Sequence, residues 1–242
     1  MASSFCFGFL CGMGEGVDST PNSIKPERRP AATVQDGERK KRDPVRSAEV
    51  ERLAKKFYGF FSSVKTSIGE GDRALFRTHQ SQSTYGFLTF EGMDDMLIDE
   101  ETKEKVFYDL GSGVGKPPVA AIMLFPELQK VVGIELSGER HTYATKALKE
   151  LLDKKVRDKV QLIHGSMLDV DISDADLVYI SSLCFSRDFL KRLGSHLDTC
   201  LREGTTVMTS KEIPLKRAEL VSRPQVAMSW NSSHRLHKYV VK

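Results

Sequence analysis

The chain has 242 residues, 40% of them hydrophobic and 29% charged, with a formal net charge of +3, so it is long enough for one sizeable core and any basic character that matters is local. Its four cysteines, Cys6, Cys11, Cys184 and Cys200, form no C-x-x-C pair and no regular spacing, which argues against a zinc ribbon or a disulfide framework and fits a reducing compartment. The apolar stretch "FCFGFLCGM" lacks a charged leader and is far too short to cross a bilayer, so no membrane partner is expected.

Residues 1–46 carry four of the nine prolines and little periodicity, and read as a disordered basic arm. Within residues 25–46 eight Lys/Arg stand against four Asp/Glu. The run 39–42 is a candidate nuclear-import signal or DNA contact, beside the plainer reading of a solvated, mobile segment. Residues 47–242 read as the folded domain.

Val50, Leu53, Ala54, Phe57, Phe61, Val64 and Ile68 recur at three- and four-residue spacing, which predicts a helix that opens the domain. A polar loop follows. Then comes "TYGFLTFEGMDDMLID", where Phe90, Met93, Met96 and Leu97 suggest a second, short helix. Beyond it strand and helix alternate. A strand over 106–110 leads to a helix over 118–124, stopped by Pro126, and to a strand over 130–135. A helix over 139–153 has Ala144, Ala147, Leu148, Leu151 and Leu152 on one face. "VQLIHG" and "LVYIS" are strands, and Ser186 caps a helix with a Phe189, Leu193 and Leu197 stripe before the strand "GTTVMTS". "PQVAMSW" and "HRLHKYVV" are only a few polar residues apart, too close for a helical crossover, which predicts an antiparallel hairpin. The fold class is α/β: a doubly wound, mostly parallel, seven-stranded sheet with a C-terminal antiparallel hairpin.

"DLGSGVGK" occupies the first strand-to-helix turn, where open α/β sheets bind ligands. Gly111, Gly113 and Gly115 bring a bare main chain to whatever sits there. A P-loop requires glycine where Leu110 stands and Ser/Thr where Pro117 stands, which argues against ATP or GTP. The dinucleotide pattern G-x-G-x-x-G puts its packing glycine where Lys116-Pro117 is found, which weakens the NAD reading. S-adenosylmethionine remains, a cofactor with a ribose and a charged amino acid but no phosphate. Glu135 closes the second strand 24 residues after Gly111, where a carboxylate can accept from both ribose hydroxyls, and Asp109 can face the ammonium. The plainer alternative is a glycine-rich turn with two surface acids.

"YGFLTFEGM", "FYDLGSGVGK", "GIELS", "HGSMLDVD", "VYISSLCFS" and "AMSW" appear in the order and spacing of the non-SET histone-lysine methyltransferases known as disruptors of telomeric silencing. The chain resembles that family from about residue 50 to its end, most of all its short protist- and bacterial-type members. The resemblance implies a class I methyltransferase domain over 47–242, using S-adenosylmethionine to methylate a core lysine of nucleosomal histone H3 in the nucleus, with the cytoplasm as the alternative compartment. It places Tyr85 in the loop over the cofactor, Asp109, Gly111 and Gly113 at its methionine end, Glu135 at the ribose, and Ser166 and Met167 beside the adenine. It implies that Ser181, Ser182 and Phe185, with Trp230, frame the lysine channel, and Phe87 and Tyr85 are further aromatic candidates for its wall.

The best-known members have an acid where Phe87 stands, an Asp where Ser166 stands and paired asparagines where Ser181 and Ser182 stand. Two alternatives therefore stay beside the histone reading: a methyltransferase of a non-histone protein lysine or small molecule, and a catalytically silent binding module of the same fold. Cys184 has no partner signature for a nucleophile and reads as a packed thiol. His234 and His237, three apart on a predicted strand, point to opposite faces and suggest no metal site.

Overall fold

The structure is a computed structural model that describes residues 34–38, 41–79 and 86–242. The described chain opens with a two-residue strand, β1 (Gln35–Asp36), and helix α1 (Pro44–Phe61). Asp43 caps α1 by accepting from the Arg46 N–H at 2.9 Å, and the proline in the first turn loses no needed donor. The apolar stripe buries Val50, Ala54, Phe57 and Phe61. The helix then stops short of the predicted periodicity. Ser62 and Ser63 turn their hydroxyls back onto the carbonyls of Gly59 and Phe60, and Val64 and Ile68 lie in irregular chain.

The folded unit also begins before the boundary expected at residue 46. Asp94 is fully buried, and such a carboxylate needs a paired cation. Arg42 donates to Asp94, to Asp95 at 2.7 Å and to the Glu91 carbonyl at 2.6 Å, and Arg46 donates to Asp94 at 2.9 Å. Arg42 is thus withdrawn from the basic run 39–42, of which residues 39 and 40 lie outside the described residues.

The stretch read as a polar loop contains helix α2 (Glu70–Thr78). It is nine residues long and buries only Phe76, too short a run for apolar spacing to repeat and announce it. Acids in its first turn and Arg77 in its last complement the helix dipole. Helix α3 (Phe90–Leu97) follows, capped by the Thr89 hydroxyl, which accepts from the Gly92 N–H at 2.9 Å. The remaining elements are β2 (Val106–Leu110), α4 (Lys116–Leu124), β3 (Lys130–Glu135), α5 (Gly138–Leu151), the single turn α6 (Lys154–Arg157), β4 (Val160–His164), β5 (Leu177–Ile180), α7 (Arg187–Cys200), β6 (Thr206–Thr209), β7 (Ala218–Arg223), β8 (Gln225–Met228), β9 (Asn231–Arg235) and β10 (His237–Val241). Ser186 caps α7 as expected, accepting from the Phe189 N–H at 3.2 Å.

The main sheet runs β1-β7-β10-β6-β5-β2-β3-β4. From β6 to β4 every pairing is parallel, while β10 runs antiparallel between β6 and β7. This is the doubly wound seven-stranded sheet, with β1 added to its outer edge. The C-terminal hairpin forms as β8 and β9, apart from the main sheet. The second predicted hairpin strand divides at the fully buried Leu236, and its later half enters the main sheet as β10. β7 was not predicted: its residues are half-buried or exposed throughout, which leaves no clean alternation to read.

Alternate residues of each central strand face opposite layers. Phe107, Tyr179 and Met208 pack with α1, α3 and α4 on one side, while Tyr108, Val178 and Val207 pack with α7 on the other. Asp109 shares the parity of Phe107, and therefore faces the layer of the long N-terminal helix.

Candidate active site

The carboxyl ends of β2, β3 and β5 open into a cavity of about 530 Å³, walled by the glycine turn, α2, residues 86–88, the loop after β5 and the turn between β8 and β9. At the turn, the Gly111 and Ser112 N–H groups both donate to the Ile134 carbonyl at 2.9 Å, which ties β2 to β3. Gly111 has φ +100° and Gly113 φ +57°, left-handed values that cost a residue with a Cβ about 1–2 kcal/mol. Gly115 is also left-handed but serves elsewhere. A Cβ there would stand 2.8 Å from that of Ala144, so Gly115 lets the start of α4 pack on α5 and does not line the cavity. It fills the packing role that the dinucleotide pattern assigns to a glycine at Lys116-Pro117, and is set apart from Gly111 and Gly113, which line the cavity.

Two buried carboxylates border the cavity. The oxygens of Glu135 accept from the Gly113 N–H at 2.7 Å and the Ser137 N–H at 2.8 Å, and each keeps a further lone pair. Burial pushes its carboxyl above the usual range, opposed by the Ser137 N–H, the Arg140 guanidinium and the Gly113 N–H. Ser137 in turn caps α5, accepting from the Arg140 N–H at 3.1 Å and donating to Asp72, which fastens α2 beside the turn. Arg140 donates to the Thr66 carbonyl at 3.3 Å. Asp109 differs. It is 0% exposed, and neither oxygen has a hydrogen-bond partner among the described residues. Burial first, and the Glu135 charge second, raise its pKa well above the ordinary carboxylate value.

On the far wall, Ser166 and Met167 line the cavity. The Met167 methyl lies 3.5 Å from where a Cβ on Gly111 would stand, and the Ser166 hydroxyl accepts from the Leu168 N–H at 3.2 Å. Ser181, Cys184 and Phe185 contribute from the loop after β5, with Phe185 edge-on to Phe189 at 4.8 Å. Ser182 does not take part. Its hydroxyl donates to the Lys211 carbonyl at 3.2 Å and accepts from the Lys211 N–H at 2.9 Å, so it staples that loop to the end of β6. Of two adjacent serines, the turn can present only one to the cavity.

Trp230 is 44% exposed and lies over Gly86, where a Cβ would come within 2.4 Å of the indole. The two segments are joined by the Ser229 N–H donating to the Phe87 carbonyl at 2.9 Å and by the Phe87 N–H donating to the Ser229 hydroxyl at 3.2 Å. Behind Phe87 stands Lys116, its ammonium 3.4 Å from the ring centroid and its pKa lowered by burial to about 8. Tyr85 lies outside the described residues. Arg140, Phe76 and Tyr179 line the cavity as well, and no motif in the sequence marks them for it.

A parallel doubly wound sheet with β10 reversed between β6 and β7, a glycine turn after β2 and an acid closing β3 defines the class I fold of S-adenosylmethionine-dependent methyltransferases. Sequence comparison narrows the class. The family described as histone methylation protein DOT1 matches residues 75–239, and the chain belongs to that family of S-adenosylmethionine-dependent methyltransferases. A Caenorhabditis elegans protein named histone-lysine N-methyltransferase, H3 lysine-79 specific, is 27% identical over 64% of this chain and 19% of its own length. A Saccharolobus islandicus (strain REY15A) protein named protein-lysine N-methyltransferase is 30% identical over 46% of this chain and 65% of its own length. The chain thus spans less than two thirds of the length of either relative. An RNA methyltransferase structure from Salinibacter ruber, in complex with S-adenosyl-L-homocysteine, is 24% identical with a TM-score of 0.47, covering 62% of this chain and 89% of that one. Among the described residues no helix is long and apolar enough to cross a membrane.

Proposed function

We propose that this chain methylates a core lysine of histone H3 within nucleosomes, and does so in the nucleus. The observation that carries the cofactor half of the reading is Asp109, a fully buried carboxylate at the cavity wall with no partner among the described residues. Such a group gains when a cation arrives, and the cofactor's ammonium is one. The spare lone pairs of Glu135 suit two ribose hydroxyls, Gly111 and Gly113 allow close approach of the main chain, and Ser166 and Met167 flank the adenine. Tyr85, by resemblance, covers the cofactor.

When bound, S-adenosylmethionine supplies a methyl group on a sulfonium, already activated for in-line displacement. The protein's task is placement, which can contribute about 7–11 kcal/mol when reacting atoms are aligned. The acceptor lysine must also lose a proton, and at its reference pKa near 10.4 this costs about 4–5 kcal/mol at neutral pH. The apolar walls made by Phe87, Phe185 and Trp230 disfavour the charged ammonium and so reduce that cost. Ser181 offers the hydroxyl on this side of the cavity that can orient a neutral amine.

The histone substrate is supported by the family description and by the name of the Caenorhabditis elegans relative. Basic residues outside the ion pairs of Arg42 and Arg46 are available for phosphate contacts with nucleosomal DNA, Lys41 among them. A second reading, favoured by the name of the Saccharolobus islandicus relative, is methylation of a non-histone protein lysine. The experiment that separates the two incubates the protein, and the Glu135→Ala variant, with labelled cofactor and with nucleosomes, free H3 or a histone-free protein extract, followed by mass spectrometry. Glu135-dependent methyl-lysine on nucleosomal H3 is expected. Label confined to the extract would favour the second reading, and cofactor binding without any transfer would favour a silent module.

A further inference from the structure

Of the two histidines in "HRLH", His234 has a defined place beside the acceptor wall. It lies on β9, paired with Val226 of β8 in the hairpin that carries Trp230 at its turn, and it is the one residue of β9 that is not exposed. Its Nε2 is 3.1 Å from the Ser210 carbonyl at the end of β6. A carbonyl can only accept, so Nε2 carries the proton and donates. Ser210 is itself held, since its N–H donates to the Ile180 carbonyl at 3.1 Å and the next residue, Lys211, is stapled by Ser182. The same imidazole meets the Trp230 indole edge to face, with centroids 5.9 Å apart and planes at 63°, a geometry that aromatic pairs favour.

β8 and β9 form a two-stranded sheet of their own, and an isolated hairpin is marginally stable in water, so both strands rely on what they are tied to. β8 is fastened to α3 through Ala227. On β9 the Arg235–Asp36 pair is half exposed on both sides, and such pairs contribute little. The indole, 44% exposed, rests on a glycine that offers it no side chain. We propose that His234 is a positioning residue for the acceptor lysine: its hydrogen bond locks β9 to the end of β6, and its ring sets the Trp230 indole at the cavity mouth. The loop after β5 and the hairpin turn then share one support, the adjacent residues Ser210 and Lys211. The proposal rests on the methyl-transfer reading above and goes beyond it to what holds the acceptor wall in shape.

Trp230 is the one tryptophan of the chain, so intrinsic fluorescence reports on it alone. The test compares wild type with His234→Ala and with His234→Gln, whose side-chain amide can still donate to the Ser210 carbonyl. In folded His234→Ala the emission should move to longer wavelength and acrylamide should quench it more strongly. KM for the protein substrate should rise by about fivefold, the scale of one lost hydrogen bond, while calorimetric affinity for S-adenosylmethionine holds. His234→Gln should return most of the way to wild type in KM. If the alanine variant fails to fold, His234→Phe, which keeps a ring and loses the donor, takes its place. Unchanged emission and quenching would overturn the proposal, as would a glutamine variant no closer to wild type than alanine, or a fall in cofactor affinity that matches the rise in KM. Wild-type protein that transfers no methyl group to any protein would overturn the methyl-transfer reading and the acceptor role with it, whereas transfer with KM unmoved in His234→Ala sinks the proposal alone.

Discussion

The two halves of the cavity are built differently. The half around Asp109, Glu135 and the glycine turn is made by the ends of hydrogen-bonded neighbours, β5, β2 and β3, so its groups inherit the register of the sheet. The half around Phe87, Ser181, Phe185 and Trp230 is made by three loops far apart in sequence. Its fixed points include the Phe87–Ser229 bonds, the Leu88–Met228 bridge, the Thr89 N–H on the Ala227 carbonyl at 3.1 Å and the Ser182–Lys211 staple. A Cβ on Gly92 would stand 2.0 Å from that same carbonyl, so α3 is pressed directly onto β8, and the Asp95 carboxylate accepts from the Ala227 N–H at 3.3 Å. On the proposed reading, cofactor recognition belongs to the sheet, while the wall facing the acceptor depends on α3 and on the arginines that neutralise its acids.

The sharpest way to break the first half alone is Glu135→Ala. It strands the Gly113 and Ser137 N–H groups and removes the proposed acceptor for two ribose hydroxyls. With hydrogen bonds to a charged group at about 1.5–3 kcal/mol each, calorimetry should show cofactor affinity falling a hundredfold or more. A loss under tenfold would remove Glu135 from the account.

The second half is loosened by Asp94→Ala, which takes from Arg46 its buried partner and leaves Arg42 with Asp95 as its remaining one. Breaking a buried pair in this way costs about 3 kcal/mol or more, to be read as a lowered denaturant midpoint. In the protein that remains folded, cofactor affinity should be nearly unchanged while methyl transfer falls. Equal losses in both would contradict the division into halves.

Asp109→Asn sharpens the comparison through pH. The folded-state pKa of Asp109 is raised above its unfolded value, so the empty folded protein holds a proton that the unfolded chain releases. Stability on this account is highest below the unfolded value of about 3.9 and declines as pH rises toward the folded pKa. Asparagine cannot ionise, so the empty variant should be the more stable of the two at neutral pH, and thermal melts from acid to neutral should show a flatter profile. Its cofactor affinity should nevertheless fall by about tenfold, because the charge facing the ammonium is gone. A variant less stable than wild type at neutral pH would contradict the assignment.

The smallest effect on stability is expected from Trp230→Ala. With 44% of the residue exposed, the change in unfolding free energy should stay within about 1 kcal/mol. KM for the protein substrate should rise while cofactor affinity holds. A parallel fall in cofactor affinity would put the indole in the wrong half of the cavity.

How far the sequence could be read follows the same division. The glycine turn, Asp109 and Glu135 were legible because a strand, a tight turn and the next strand's last residue are local features. Gly115 was misplaced because its packing partner, Ala144, lies on another helix and leaves no mark beside it. α2 escaped because a nine-residue helix that buries one phenylalanine is too short for its apolar spacing to repeat. The Ser181 and Ser182 hydroxyls are chemically identical, and only the staple to Lys211 decides which one reaches the cavity. Trp230 stood out as a lone tryptophan at a turn, yet its neighbour Gly86 is reached only through the hairpin's fold-back onto residues 86–88.

The central claim is that the glycine turn, the unpartnered Asp109 and Glu135 together hold S-adenosylmethionine. Calorimetric titration of the folded wild-type protein with that compound addresses it most directly. One-to-one uptake that is lost in Glu135→Ala is the predicted result; folded protein that gives no binding heat by calorimetry and no ligand-induced rise in Tm would contradict it.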